Sequence, residues 1–89
     1  MTFGGEDLYR DVADKAAALM HSIVAGHPFV DGNKRVGAVA AEFFLQINGV
    51  DLVATDDELV ETTMAAARGD LSAEALAIWI RQRLRPREV

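Results

Sequence analysis

His27-Pro28-Phe29-Val30-Asp31-Gly32-Asn33-Lys34-Arg35 runs directly into Val36-Gly37-Ala38-Val39-Ala40-Ala41-Glu42-Phe43-Phe44-Leu45-Gln46-Ile47, and the change of pattern between them decides how the chain folds. In the second string Val36, Val39, Ala40, Phe43, Phe44 and Ile47 recur at the three- and four-residue spacing of one helical face. Asn48-Gly49 then supplies residues that accept the left-handed conformation of a helix end. The spacing predicts a helix over about residues 33–47, with the first string as the loop that enters it.

The same repeat appears on either side. Leu8, Val12, Ala16, Leu19, Met20 and Ile23 mark a first helix over about residues 8–25, stopped by Gly26 and Pro28. Thr55-Asp56-Asp57-Glu58 reads as a capping box, so a third helix spans about 56–68 with Gly69 as its stop. Ser72 is the N-cap of a fourth, about 73–84, in which Leu71 can staple onto Leu76 and Trp79, Ile80 and Leu84 follow. Met20, Met64, Phe43, Phe44 and Trp79 are read as core, and residues 85–89 as a frayed tail. With short loops, no repeats and almost no strand pattern, residues 1–89 read as one all-α domain, a bundle of about four helices.

Composition narrows the function classes. The chain has 89 residues, 51% hydrophobic and 26% charged, within the globular range. Without Cys there are no disulfides, thiolate nucleophiles or Cys-based zinc sites, and the default compartment is the cytoplasm. A net charge of −5 argues against nucleic acid as a partner, and no apolar run is long enough to span a membrane. A domain of this size buries only about 60–65% of the surface its unfolded chain exposes, so a partner surface is expected.

The loop concentrates chemistry. A base (His27), a carboxylate (Asp31), a glycine (Gly32), an amide (Asn33) and two cations (Lys34, Arg35) lie within nine positions. Where a glycine turn enters a helix, backbone N–H groups of about residues 32–35 face outward at the positive end of the dipole, a ready anion site. A nearby His that takes a hydroxyl proton and a carboxylate suited to Mg²⁺ complete what phosphoryl or nucleotidyl transfer needs. A Walker A loop does not fit, because Gly26 and Gly32 enclose five residues, Lys34 does not follow Gly32 directly, and Arg35 stands where a hydroxyl is required. His21 and His27 are six apart across a helix end and lack the spacing of paired zinc ligands.

The segment His27, Phe29, Asp31, Gly32, Asn33, Lys34, Arg35 closely resembles the Fic/Doc signature, His-x-Phe-x-Asp/Glu-Gly-Asn-Gly/Lys-Arg. The likeness is greatest to the death-on-curing toxin branch and extends from about Phe3-Gly4-Gly5-Glu6-Asp7-Leu8-Tyr9 to the end of the fourth helix. The resemblance implies a Fic/Doc-like helical bundle in which His27 is the general base on a target hydroxyl and Asp31 binds Mg²⁺. It further implies that Gly32, Asn33, Lys34 and Arg35 hold the phosphates of ATP, with Phe29 as the anchor of the loop. Lys34 replaces the second Gly of adenylylating relatives and Ala38 their second Arg, which resembles the death-on-curing branch and implies phosphoryl transfer, as a toxin of a toxin–antitoxin pair. AMP transfer by the same site, or a catalytically inactive module that binds a partner chain, are the alternatives.

The implied partners are an antitoxin and a target protein, a translation factor by family analogy. No Ser/Thr-x-x-x-Glu-Gly/Asn segment is present, so inhibition is expected from another chain. Relatives usually carry an N-terminal helical segment and part of a target-binding flap ahead of the position matching Thr2. An unpaired apolar face is therefore expected around Leu8, Val12 and Leu19 with Phe43 or Phe44, covered in a homo-oligomer or complex.

Overall fold

The computed structural model describes residues 3–25 and 31–87, with side chains described from Tyr9 to Ala25 and from Arg35 to Arg87. In chain order the elements are α1 (Phe3–Val24), α2 (Asp31–Ile47), β1 (Val50–Leu52), α3 (Asp56–Arg68), α4 (Ala73–Arg81) and β2 (Leu84–Pro86). The architecture is the expected small helical one, with four helices described and one short two-stranded sheet added. α1 lies at its centre and packs against α2 and α4, while α3 packs chiefly on α2.

Small side chains set how closely α1 is approached. Ala13, Ala16 and Ala17 are fully buried on it, and Met20 and Val24 continue the same face against Ala41 and Leu45 of α2 and Leu76 and Ile80 of α4 in one core. Thr63 is the one buried polar residue among those described; its hydroxyl donates to the Leu59 carbonyl at 2.7 Å, so its burial leaves no orphan group.

The caps form as the spacing predicts. The Glu58 N–H donates to Thr55 Oγ1 at 3.1 Å and the Thr55 N–H to Glu58 Oε1 at 2.8 Å, closing the start of α3. Gly69 ends α3 at φ 86°, a left-handed conformation that costs glycine nothing. The Ala75 N–H donates to Ser72 Oγ at 3.0 Å at the start of α4.

Four expectations need correction. α1 begins at Phe3 rather than near residue 8, with Gly4 and Gly5 drawn into its first turn, and α2 begins at Asp31 rather than 33. α4 ends at Arg81 rather than 84, because the chain turns at Gln82 and Arg83, whose N–H groups return to the Ile78 and Ile80 carbonyls. The tail is not frayed as far as Arg87: Leu84–Pro86 pairs antiparallel with Val50–Leu52, Val50 opposite Pro86 and Leu52 opposite Leu84. The Arg87 N–H reaches the Gly49 carbonyl at 2.9 Å and its guanidinium reaches Asp51 at 2.8 Å. Three-residue strands containing Pro86 show too little alternation to read from sequence.

The fourth correction concerns the open apolar face. Val12 is 2% exposed and Leu19 and Phe44 are half-buried, so α1 and Phe44 belong to the packed side; the side chain of Leu8 lies outside the described residues. Among the described residues the open apolar stripe is on α2, where Val36, Val39, Phe43 and Ile47 are 57, 61, 62 and 66% exposed. Phe43 is thus not core. No helix among the described residues is long and apolar enough to cross a membrane.

Candidate functional site

Because α2 starts at Asp31, the Asp31-Gly32-Asn33-Lys34 segment is its first turn and not a loop ahead of it. The N–H groups of Asp31, Gly32 and Asn33 have no carbonyl one turn earlier within the helix, and the positive end of the α2 dipole falls there. The sequence at that end carries Lys34 and Arg35, so backbone and formal charge favour an anion together.

What fixes this end in place is Gly37, which the sequence reading passed over. A methyl group there would stand 2.6 Å from Val24 Cγ1 and 3.5 Å from the Met20 carbonyl oxygen. The backbone of α2 therefore lies directly on the last turns of α1, two residues beyond Arg35. The signal was present in the sequence: a glycine inside a helical repeat costs about 1 kcal/mol relative to Ala and usually marks close packing.

Arg35 is exposed and stands at the head of a groove between α2 and α3, about 640 Å³ in volume. Ala38, Val39 and Glu42 line its α2 wall, and Leu59, Thr63 and Met64 are among the residues of its α3 wall. Ala38 is buried, and its short side chain keeps the wall low. Toward the other end along α2 lies Glu42, whose carboxyl is pushed above its ordinary value by burial and further by the negative charge of Asp56. The groove is thus cationic at its head, apolar along its floor and acidic at its far end.

His27 and Phe29 lie outside the described residues. Asp31, Gly32, Asn33 and Lys34 are placed by their backbone on the first turn of α2, their side chains outside the described set, and Arg35 is placed in full. The geometry thus brings five of the seven residues singled out onto one helical start. Glu42, Thr63 and Met64 were missed as groove residues because their convergence depends on how α3 crosses α2. Among the described residues no group of three or more His, Asp or Glu side chains is arranged to hold a metal. Mg²⁺ commonly takes one or two carboxylates together with substrate phosphates, so the chemistry of a carboxylate such as Asp31 fits that ion.

Residues 2–45 match the Fic/DOC family model. Toxin Doc of Mycolicibacterium smegmatis is 52% identical over 56 residues, which are 63% of this chain and 43% of that protein. Protein kinase doc of Escherichia phage P1 is 35% identical over 72 residues, 81% of this chain and 56% of the relative. A Fido domain-containing protein of Dictyostelium discoideum is 39% identical over 57 residues, 60% of this chain and 40% of its own length. No solved structure matches. The chain belongs to the Fic/DOC family. Within it, the likeness to two proteins named Doc places it on the Doc branch, and it spans about half the length of the relatives it matches.

Proposed function

We propose that this chain binds Mg²⁺–ATP at the start of α2 and transfers the γ-phosphoryl group to a hydroxyl side chain of a target protein, acting as the toxin of a toxin–antitoxin pair in the cytoplasm. The observation that carries the reading is that α2 begins at Asp31, which places the motif residues on the first turn of a helix, at the positive end of its dipole. In this reading the N–H groups of the first turn, with Asn33, Lys34 and Arg35, hold the phosphates. The groove below Arg35 receives the rest of the nucleotide, its volume lying within the usual range for a small-molecule site.

Asp31 is the residue that would hold Mg²⁺, and the ion would supply charge neutralisation on the phosphate oxygens. His27 takes the proton of the target hydroxyl as its oxygen bonds to the γ-phosphorus and the bond to ADP breaks; the proton then leaves to solvent. Phe29 anchors the loop. AMP transfer is the alternative for the same site; Lys34 in place of a glycine and Ala38 in place of an arginine favour the phosphoryl reading. The antitoxin is a separate chain, and a translation factor is the first target to try.

Intact-mass analysis of translation factors incubated with the chain and Mg²⁺–ATP tests this. A phosphate increment that His27→Ala abolishes is the expected result, since general-base removal typically costs 10²–10⁴-fold. An adenylate increment would replace the phosphoryl reading with the alternative, and no increment with bound ATP would leave a binding module.

A further inference from the structure

We propose that Glu42 selects the sugar of the bound nucleotide, its carboxylate accepting hydrogen bonds from the vicinal 2′- and 3′-hydroxyls of a ribose. The proposal rests on the reading of the groove between α2 and α3 as the nucleotide site, and adds to it a direction of binding and a sugar preference.

Arg35 and Glu42 stand two turns apart on α2, on one stripe of the helix, and both line the same groove of about 640 Å³. At 1.5 Å per residue they are about 10 Å apart along the axis. With the phosphates held at the first turn of α2, that separation carries Glu42 past the triphosphate to the level of the sugar. Between the two, the α2 wall is Ala38 and Val39, whose side chains offer no polar atom. Glu42 is therefore the first side chain of that wall below Arg35 able to accept a hydrogen bond.

Charge sets the direction. Asp56, at the start of α3, lines the groove and adds its negative charge to that of Glu42. A nucleotide turned end for end would press its phosphates against two carboxylates and leave Arg35 facing an uncharged base or sugar. The favoured direction puts phosphate at the cation and hydroxyl donors at the carboxylate, the complementary pairing at both ends.

Glu42 is also a carboxylate that stands to gain from such donors. It is half-buried, and burial first and the charge of Asp56 second both oppose its ionisation. Two O–H donors would offset that cost through charge-assisted hydrogen bonds. A vicinal diol supplies two donors side by side for the two carboxylate oxygens, as it does where an acidic residue holds a ribose in dinucleotide-binding folds. The amino group of a purine lies farther from the phosphates than the sugar does. The apolar side chains of Leu59, Val60 and Met64 on the α3 wall suit the faces of the base instead.

Calorimetric titration of the chain with the Mg²⁺ complexes of ATP, 2′,3′-dideoxy-ATP, inosine triphosphate and tripolyphosphate tests this. The wild type is expected to bind ATP about tenfold or more tightly than the dideoxy analogue, the size of effect that hydrogen bonds to a charged group produce. Glu42→Ala should bind the two alike, and Glu42→Gln should keep part of the preference because its amide retains one acceptor oxygen. A sugar preference that persists in Glu42→Ala would overturn the proposal, as would its absence from a wild type that binds ATP. So would a Glu42→Ala chain that loses only a preference for ATP over inosine triphosphate, since the carboxylate would then read the base. If neither ATP nor tripolyphosphate binds, the nucleotide reading itself falls and this proposal with it.

Discussion

The starts of α2 and α3 are built from opposite materials. α3 opens on Thr55-Asp56-Asp57-Glu58, whose capping box accepts the leading N–H groups and whose three acidic side chains meet the positive dipole end. An anion arriving there finds its donors taken and negative charge in its way. α2 opens on Asp31-Gly32-Asn33-Lys34-Arg35, with a glycine at its second position and cations at its fourth and fifth. One start is closed by its own residues for stability. The other carries two cations in its first residues, and the close contact of Gly37 with α1 fixes its backbone.

The largest effect should come from undoing that contact. Gly37→Val would drive a branched side chain into Val24 and is expected to destabilise by about 3 kcal/mol, from overpacking together with poorer helix propensity. Gly37→Ala should cost less, because better propensity offsets part of the clash. Urea unfolding measures both, and an unchanged midpoint for Gly37→Val would mean that α1 and α2 do not approach as described.

Opening the closed start is the converse experiment. Thr55→Ala should cost about 1 kcal/mol of stability and leave nucleotide binding unchanged. The hydrogen bonds from Thr55, backbone first and hydroxyl second, hold the Glu58 carboxyl below its ordinary value, with a lesser part from the Arg83 charge. Its contribution is therefore present above pH 4.5 and lost as pH falls through the depressed value. The difference between wild type and Glu58→Gln should shrink in acid, as thermal unfolding from pH 7 to pH 3 would show.

The smallest effect, of opposite sign, concerns Glu42 in the groove. Its carboxyl is raised, so the folded chain holds that proton more tightly than the unfolded one, and ionisation works against the fold as pH rises through the raised value. Glu42→Gln is expected to raise the melting temperature slightly at pH 7 and to make little difference at pH 4. A lower melting temperature at pH 7 would mean that the carboxylate is engaged favourably in the fold.

Much of this was legible in the sequence, for reasons that differ by element. The caps at Thr55, Ser72 and Gly69 are local chemistry, complete within four residues, and were readable from the chain alone. The motif was readable as a set of residue types, yet its placement on the first turn of α2 was not, because Asp31-Gly32 reads equally as a turn. The strand pair was hidden because Val50–Leu52 and Leu84–Pro86 find each other across more than thirty residues and carry no alternation. The open stripe was expected to span α1 and α2 and, of the residues named for it, the structure leaves Phe43 open while Val12 and Leu19 pack, because both helices are apolar on more than one side. Only the fully buried Ala13, Ala16 and Ala17 show which helix is central.

The central claim is that the start of α2, unlike that of α3, is an anion site for nucleotide phosphate. Titration of the ¹⁵N-labelled chain with Mg²⁺–ATP, followed amide by amide, reads both starts in one sample. The account expects saturable shifts at Gly32, Asn33, Lys34 and Arg35, none at Asp56, Asp57 or Glu58, and marked weakening in Arg35→Ala. Absence of shifts at residues 32–35, or equal shifts at both helix starts, would contradict it.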